Sequence, residues 1–360
     1  MRNLITALLV VLLITAASAS AGTVTDAFGR NVVVPDKIER LVAIGSSMSF
    51  VACLGAQDLA VGAEDIEQKK FLTKPYIYAN SEMLTKLPTI GKGGPIRIPS
   101  YEMLIKLKPD VIFIVSVEKS EPELIQRKLN IPVVALSYGI PSFAPDVFYK
   151  SFRTAGKVLG RESRAEELIS FTENLIEELD YRPEEPVSAY IGGISYKGMQ
   201  GLESTSADFL PMQIAGIKNT ADSFGRKGQI FINREYILIS NPSLLFIDGN
   251  GFSIIKEKMR SDPGFFQRLV AFREGRVYLL LPDTSYFVNP EVMIANAFMM
   301  AKAAYPERYA LLDPVKKADE IFTFYYGKPL YEYFKRDTGG YAKLKMSGGT
   351  LITEEINGVE

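Results

Sequence analysis

The sequence of 360 residues contains no histidine, no tryptophan and only one cysteine, Cys53. The lack of histidine removes the commonest metal ligand and the commonest general base at neutral pH. A single cysteine excludes a disulfide and a cysteine-rich metal site within one chain. The formal net charge of −1 argues against a nucleic-acid binder, which needs a basic face. We therefore expect no metal site, no resident cofactor and no nucleic-acid partner.

The N-terminus has the composition of a secretory signal peptide, which we predict at residues 1–21. A short positive start, Met1-Arg2, precedes an apolar run over 4–15 and a series of small residues over 16–21. No cysteine stands at the cleavage point, so lipid attachment there is unsupported. No later segment has enough uninterrupted apolar residues to span a bilayer. We expect export to the periplasm, with an archaeal cell surface as the alternative.

Hydrophobic residues make up 47% of the chain and charged residues 23%, as in proteins with a packed core. In both halves, short apolar runs alternate with longer amphipathic stretches. Such alternation indicates βα units and mostly parallel sheets. The predicted strands lie at 40–44, 111–115, 133–136, 187–191, 244–247 and 276–281. Helices are predicted at 49–54, 101–107, 122–129, after Pro263, and from Pro290 to Ala304.

A charged segment in the middle of the chain predicts a helix that joins two halves. Leu168, Phe171, Leu175 and Leu179 recur at helical spacing, and no glycine or proline interrupts them. A surface helix of the first domain is the alternative interpretation. The predicted division is a signal peptide at 1–21, an N-terminal lobe at 22–160, a linking helix at 161–182, a C-terminal lobe with terminal helices at 183–345, and a loose polar tail at 346–360.

Two segments in different halves read alike. Glu102 and Glu235 each stand seven positions before a proline, and a polar residue and four apolar residues follow that proline. A glutamate in the first turn of a helix is favoured by the helix dipole. One copy would indicate ordinary helix-start chemistry alone. Two copies predict two similarly built lobes, each with an acidic corner.

The order and spacing of several segments resemble a known family, the substrate-binding proteins of ABC importers for iron-siderophores, haem and cobalamin. The segments that carry the resemblance are 25–35, 40–62, 100–110, 161–168 and 262–278. The resemblance implies an α/β fold of two Rossmann-like lobes with mostly parallel sheets, joined by a single long helix, with a ligand cleft between the lobes. We expect a monomer that is not an enzyme. The resemblance also implies that Glu102 and Glu235 dock on arginines of the membrane permease dimer.

The ligand is expected between the lobes, at the carboxyl ends of the parallel strands. Hydroxyl and backbone N–H groups after the first strand suit an anion, and the cations and tyrosines of other loops suit carboxylates and flat organic surfaces. One of these loops, 195–205, lies in the second half. The candidate ligand-binding residues are Ser46, Ser47, Met48, Lys92, Arg97, Tyr138, Tyr196, Lys197, Gln200, Arg226 and Tyr286.

The favoured solute is an anionic metal chelate such as a ferric siderophore. Alternatives within the same family are cobalamin, haem, and a small oxyanion such as molybdate held by Ser46, Ser47 and helix N-termini. The missing histidine disfavours His-ligated haem, although tyrosine is another haem ligand. An exported α/β enzyme is the alternative class; the missing histidine and the absence of a recognisable nucleophile–base spacing argue against it. A continuous linking helix predicts little lobe closure.

Overall fold

The structure, a computed structural model, describes residues 21–69, 73–94, 99–139, 143–347 and 350–356. Almost all of the predicted signal peptide lies outside these residues, as does Arg97. Within the part of the chain that is described, no helix combines the length and apolarity needed to cross a membrane. The fold is mixed α/β, with parallel strands in two separate sheets. This confirms the predicted fold class.

The N-terminal lobe contains an antiparallel pair, β1 (Ala21–Thr25) and β2 (Asn31–Pro35), and a three-stranded parallel sheet. That sheet consists of β3 (Leu41–Ile44), β4 (Val111–Val115) and β5 (Val133–Leu136), in this order. Every side chain of its strands is buried, as in parallel sheets covered on both faces. The helices are α1 (Met48–Cys53), α2 (Asp65–Gln68), α3 (Pro75–Leu84), α4 (Tyr101–Leu107), α5 (Ser120–Leu129) and α6 (Pro145–Leu159).

Helix α7 (Glu162–Glu178) follows the N-terminal lobe and lies in the segment predicted as the linking helix. Its buried side chains are Ala165, Leu168, Ile169, Thr172 and Leu175, which recur at helical spacing. The helix ends four residues earlier than the predicted limit at 182. The exact division of the chain into domains stays a prediction.

The C-terminal lobe is built on a six-stranded sheet in the order β13-β12-β11-β10-β6-β8. Strands β6 (Ser188–Gly192), β8 (Lys218–Asn219), β10 (Leu244–Asp248) and β11 (Val277–Leu280) run parallel. A separate antiparallel pair consists of β7 (Ser204–Ala207) and β9 (Gly228–Phe231). The helices are α8 (Leu210–Ile214), α9 (Arg234–Ser240), α10 (Phe252–Ser261), α11 (Pro263–Arg268), α12 (Val270–Arg273), α13 (Pro290–Ala304), α14 (Pro314–Tyr326) and α15 (Tyr331–Thr338).

The predicted loose tail at 346–360 is wrong where the structure describes it. Strand β12 (Ala342–Ser347) pairs antiparallel with β11, and β13 (Thr350–Glu355) pairs antiparallel with β12. The segment reads as polar because a sheet-edge hairpin has one solvated face. On that hairpin Lys345 and Glu354 form an ion pair at 2.7 Å, while Leu344 is fully buried.

The main hydrophobic core is shared by the two lobes. It includes Phe50 and Phe113 of the N-terminal lobe, Phe209 and Phe246 of the C-terminal lobe, and the buried side chains of α13. Smaller cores cover the other faces of the two sheets. Because a packed interior resists continuous deformation, this shared core ties the lobes together in addition to helix α7.

Candidate functional site

The two acidic corners have the same local structure. Helices α4 and α9 are both seven residues long, and Glu102 and Glu235 lie in their first turns. Both glutamates are exposed. Leu104 of α4 shares a hydrophobic cluster with β4, and Ile237 of α9 shares one with β10. Each helix is thus fixed to the sheet of its own lobe, which holds the two carboxylates in place.

Helices α4 and α9 also begin and end in the same way. The Ser100 hydroxyl accepts a hydrogen bond from the N–H of Met103 at 3.3 Å, and the Asn233 side chain accepts one from Tyr236 at 2.8 Å. Both are N-caps, which satisfy otherwise unpaired helix N–H groups. Each helix ends at a left-handed residue, Lys108 or Asn241, immediately before the repeated proline. The repeat in sequence is therefore a repeat in structure.

The polar groups of the loop after β3 form hydrogen bonds with other groups of the N-terminal lobe. The Ser47 hydroxyl accepts the Ile44 N–H at 3.0 Å and lies 3.0 Å from the carbonyl oxygens of Ile44 and Phe113. The Tyr138 hydroxyl donates to the carbonyl oxygen of Ser46 at 2.9 Å. Burial raises the pKa of Tyr138. Ser46, Ser47, Met48 and Tyr138 are all buried, and a ligand-binding role for them stays a prediction.

Direct hydrogen bonds join the lobes beside this loop. The Glu64 carboxylate accepts hydrogen bonds from the Gly45 N–H at 3.0 Å and from the Tyr286 hydroxyl at 2.6 Å. The Asn289 side-chain amide donates to the carbonyl oxygen of Thr73 at 3.1 Å. The predicted residue Tyr286 thus lies between the lobes, in contact with the N-terminal lobe. Its backbone φ of 51° is unusual for an aromatic residue.

Lys74 is a buried cation between the lobes that the sequence did not point to. It is 1% exposed, and its ammonium donates to the carbonyl oxygen of Val288 at 3.2 Å. Burial lowers the pKa of Lys74 to about 7, against the raising effect of the carboxylates of Glu291 and Glu67. Burial and the carboxylate of Glu64 raise the pKa of Glu67 to about 8. In the sequence, Lys74 is simply a lysine before a helix that begins at Pro75. Nothing in that pattern indicates that the lysine is buried.

A small cavity of about 110 Å³ lies where the loops after β6 and β11 meet the antiparallel pair of β7 and β9. Among the described residues, the N-terminal lobe contributes Phe143 to its wall and the C-terminal lobe provides the remainder. The polar lining residues are Ser195, Ser206, Asp208, Gln229, Asp283 and Thr284, and the apolar ones include Ile194, Phe209, Val288 and Met293. A larger depression of about 650 Å³ lies around residues 307–320. No residue of the loops after β6 or β11 lines it.

Two buried carboxyl groups meet beside this cavity. Asp248 ends strand β10 and Asp283 follows strand β11, which is its parallel neighbour. The Asp248 carboxylate accepts the backbone N–H groups of Asn250 at 2.9 Å and Asp283 at 3.2 Å. Burial and the neighbouring carboxylate raise the pKa of Asp248 well above its ordinary value, and burial raises the pKa of Asp283 to about 6.

The other predicted ligand residues that the structure describes are exposed, or partly exposed in the case of Gln200. Tyr196 is 46% exposed, and the Lys197 ammonium lies 5.4 Å from the centre of its ring. The Gln200 side chain donates to the carbonyl oxygen of Tyr196 at 2.9 Å. Lys92 and Arg226 are exposed and are not part of the described cavity wall. Their roles, like that of Arg97, stay predictions.

Sequence reasoning missed most of the cavity wall. It pointed to the loop 195–205, and Ser195 does line the cavity, but Ser206, Gln229 and Thr284 carried no motif. Ser206 and Gln229 are paired neighbours on the antiparallel strands β7 and β9, whereas Thr284 follows the parallel strand β11. The rule that ligands bind at the carboxyl ends of parallel strands could have indicated only Thr284.

Comparison with known proteins agrees with this architecture. The family described as periplasmic binding protein matches residues 55–284. The molybdate-binding protein MolA of Haemophilus influenzae is 25% identical over 328 residues, which cover 84% of this chain and 90% of that protein. The solved structure of MolA with molybdate has a TM-score of 0.69 at 23% identity, covering 86% of this chain and 98% of the other. An Fe³⁺-hydroxamate transport protein of Saccharomonospora viridis has a TM-score of 0.56 at 19% identity, covering 78% and 98%.

The chain belongs to the periplasmic binding protein family. Proteins of this family bind a solute outside the cytoplasm, as the sequence predicted for this chain. Members of this family bind solutes and are not enzymes.

Proposed function

We propose that this protein captures a small oxyanion of the molybdate type in the cavity at the C-terminal strand ends and delivers it to a membrane permease. The observation that carries the proposal is the size of that cavity, about 110 Å³. Clefts for drug-sized ligands measure roughly 300–1,000 Å³. A tetrahedral oxyanion is only a few water molecules in size, whereas a siderophore chelate is far larger.

The chemistry of the wall also supports a small polar solute. Ser195 brings a hydroxyl group and Gln229 an amide with a second N–H, and both can donate hydrogen bonds to oxygen atoms. The hydroxyl groups of Ser206 and Thr284 donate to the Ala207 carbonyl oxygen at 3.3 Å and to the Asp283 carboxylate at 3.0 Å. Val288 and Met293 place the start of α13, a buried helix of 15 residues, at the same cavity. The positive end of a helix dipole favours a bound anion. The likeness to MolA is consistent with this solute class.

A ferric siderophore-like chelate is the second candidate solute. Tyr196 and Phe231 are exposed beside the cavity residues Ser195 and Gln229, with ring centres 6.0 Å apart. Such rings suit a flat organic surface. This candidate requires the lobes to open around the cavity, because the cavity itself is too small to hold such a chelate.

We further propose that the protein acts as a monomer in the periplasm after removal of residues 1–21. Glu102 and Glu235 then dock on basic residues of the permease dimer. Their exposure on matching helices suits electrostatic steering, which sets encounter rate and orientation more than affinity.

Isothermal titration tests the solute assignment. The purified mature protein is titrated with molybdate, sulfate, phosphate and a ferric hydroxamate chelate. We expect one molybdate to bind per chain. Ser195→Ala removes a hydroxyl donor from the cavity and should weaken molybdate binding about tenfold, as for the loss of one hydrogen bond to a charged group.

Ser261→Ala is the matched control, since Ser261 is an exposed serine at the end of α10. This variant should bind molybdate like the natural protein. Binding of the ferric chelate alone would reject the oxyanion in favour of the second candidate. Molybdate affinity that is equal in both serine variants would place the site elsewhere.

A further inference from the structure

The buried carboxyl pair, Asp248 with Asp283, is an unexpected neighbour for an anion. The two residues are 2% and 1% exposed. Asp283 lines the cavity, and its carboxylate accepts a hydrogen bond from the Thr284 hydroxyl at 3.0 Å. A carboxylate has only acceptor oxygens, and so does a fully deprotonated oxyanion. An ionised pair would therefore repel molybdate from the site.

The charged groups that the structure describes around the cavity do not offset this repulsion. Asp208 also lines the wall, and it is paired with Lys227 at 3.2 Å. The Lys74 ammonium reaches the cavity residue Val288 only at its carbonyl oxygen, and Lys74 faces Glu67 and Glu291. Among the described residues, no lysine or arginine forms an ion pair with Asp248 or Asp283.

We propose that an oxyanion enters this cavity together with one proton, which a carboxyl oxygen of the Asp248–Asp283 pair takes up from the solvent. An O–H bond forms on the pair as the buffer acid loses its proton, so charge and atoms balance. The protonated carboxyl group becomes a hydrogen-bond donor in the cavity. This inference rests on the proposed function, and it adds the condition under which the site accepts an anion.

The burial of the pair supports the uptake. Two carboxyl groups in contact and out of water cannot both ionise without a large penalty. The raised pKa values of both residues place the last ionisation of the pair at or above about pH 6. Above that ionisation, coupling to one proton weakens affinity up to about tenfold per pH unit.

Calorimetry in buffers of different ionisation enthalpy measures this proton directly. The full mature chain is titrated with molybdate at pH 7.5 in each buffer. The slope of the observed enthalpy against buffer enthalpy should show proton uptake approaching about one per molybdate. Asp283→Asn supplies a neutral group of the same shape and should bind molybdate with little proton uptake and little pH dependence.

Asp208→Asn is the matched control, because it neutralises the other carboxylate of the cavity and should leave the proton uptake in place. Molybdate binding without proton uptake by the natural protein would overturn this inference alone. No binding of any oxyanion at any pH would contradict the proposed function and the coupling with it.

The stability of the solute-free protein tests the pair independently. The pair holds a proton in the folded state that the unfolded chain has lost, since its pKa values lie above the ordinary 3.8. Stability should therefore fall as the pH rises from about 4 through 6. Asp283→Asn should flatten this part of the Tm profile. An unchanged profile would show that the pair does not retain the proton.

Discussion

The two lobes are alike on their outer corners and different on the faces they turn toward each other. On the outer side, α4 and α9 each begin with a side-chain N-cap and a glutamate in the first turn. Each ends at a residue in the left-handed conformation, which a proline follows. Inside, the loop after β3 is closed by the hydrogen bonds of Ser47 and Tyr138. The loops after β6 and β11 instead leave Ser195 and Thr284 in the wall of a cavity.

This difference separates two tasks. Under the proposed function, docking on a permease dimer requires two similar corners, which both lobes provide. Under the same proposal, one small solute requires one site, so a polar cavity wall in one lobe is sufficient. In this protein the N-terminal lobe contributes Phe143 to that wall, together with the contacts that hold the lobes side by side.

The largest effect should come from breaking the likeness of the outer corners. Glu102→Lys or Glu235→Lys replaces an attraction to the permease by a repulsion, and each should reduce solute uptake about tenfold or more. Solute affinity in calorimetry should not change. Uptake is measured in cells or in liposomes that contain the cognate importer.

Glu123→Lys is the matched control for charge reversal. Glu123 is also exposed in the first helical turn, in α5, but it is not part of the repeat. The Glu123→Lys variant should therefore take part in solute uptake like the natural protein. A loss of solute affinity in the Glu102 or Glu235 variants would assign those residues to the binding site or to the fold instead.

A smaller effect should distinguish the loop after β3 from the loop after β6 when one serine in each is replaced by alanine. Ser47→Ala leaves the buried Ile44 N–H without its acceptor and should lower the free energy of unfolding by about 1–3 kcal/mol. Its affinity for molybdate should stay within twofold of the natural value, about 0.4 kcal/mol. Urea unfolding measures the first quantity and calorimetry the second. Ser195→Ala should show the reverse pattern, so equal behaviour of the two variants would contradict the contrast between the loops.

The smallest effect should be the change of shape on binding. The lobes share a hydrophobic core that contains helix α13, and hydrogen bonds such as Asn289 to Thr73 cross between them. A large hinge motion would expose that core. Small-angle scattering with and without saturating molybdate should therefore give the same radius of gyration. A clear compaction would show that the shared core opens in the solute-free protein.

Much of the fold could be predicted because its signals are local. Predicted helix 101–107 and strands 111–115 and 133–136 match α4, β4 and β5, and Pro290 to Ala304 matches α13. The terminal hairpin was missed because alternating polar residues on an edge strand resemble a solvated tail. The helix predicted after Pro263 matches α11, whose N-cap Asp262 accepts the N–H of Phe265 at 3.3 Å.

The candidate site was much less predictable. Tyr286 lies between the lobes as a cleft residue should, but its partner Glu64 is 222 positions away in the sequence. The basic residues predicted to bind an anion, such as Lys92 and Arg226, are exposed, whereas Lys74 is buried. Burial of a charged group depends on the residues that pack around it in the fold, and the neighbouring residues in the sequence do not reveal them.

The sequence by itself determined the elements, the two-lobed class and the paired corners of Glu102 and Glu235. These follow from hydrophobic periodicity, caps and proline stops, which act within a few residues. Only the tertiary structure decided the size of the cavity, its wall and the meeting of Asp248 with Asp283. Those features arise where the ends of separate strands converge, so they depend on the register of a whole sheet and on the packing of one lobe against the other.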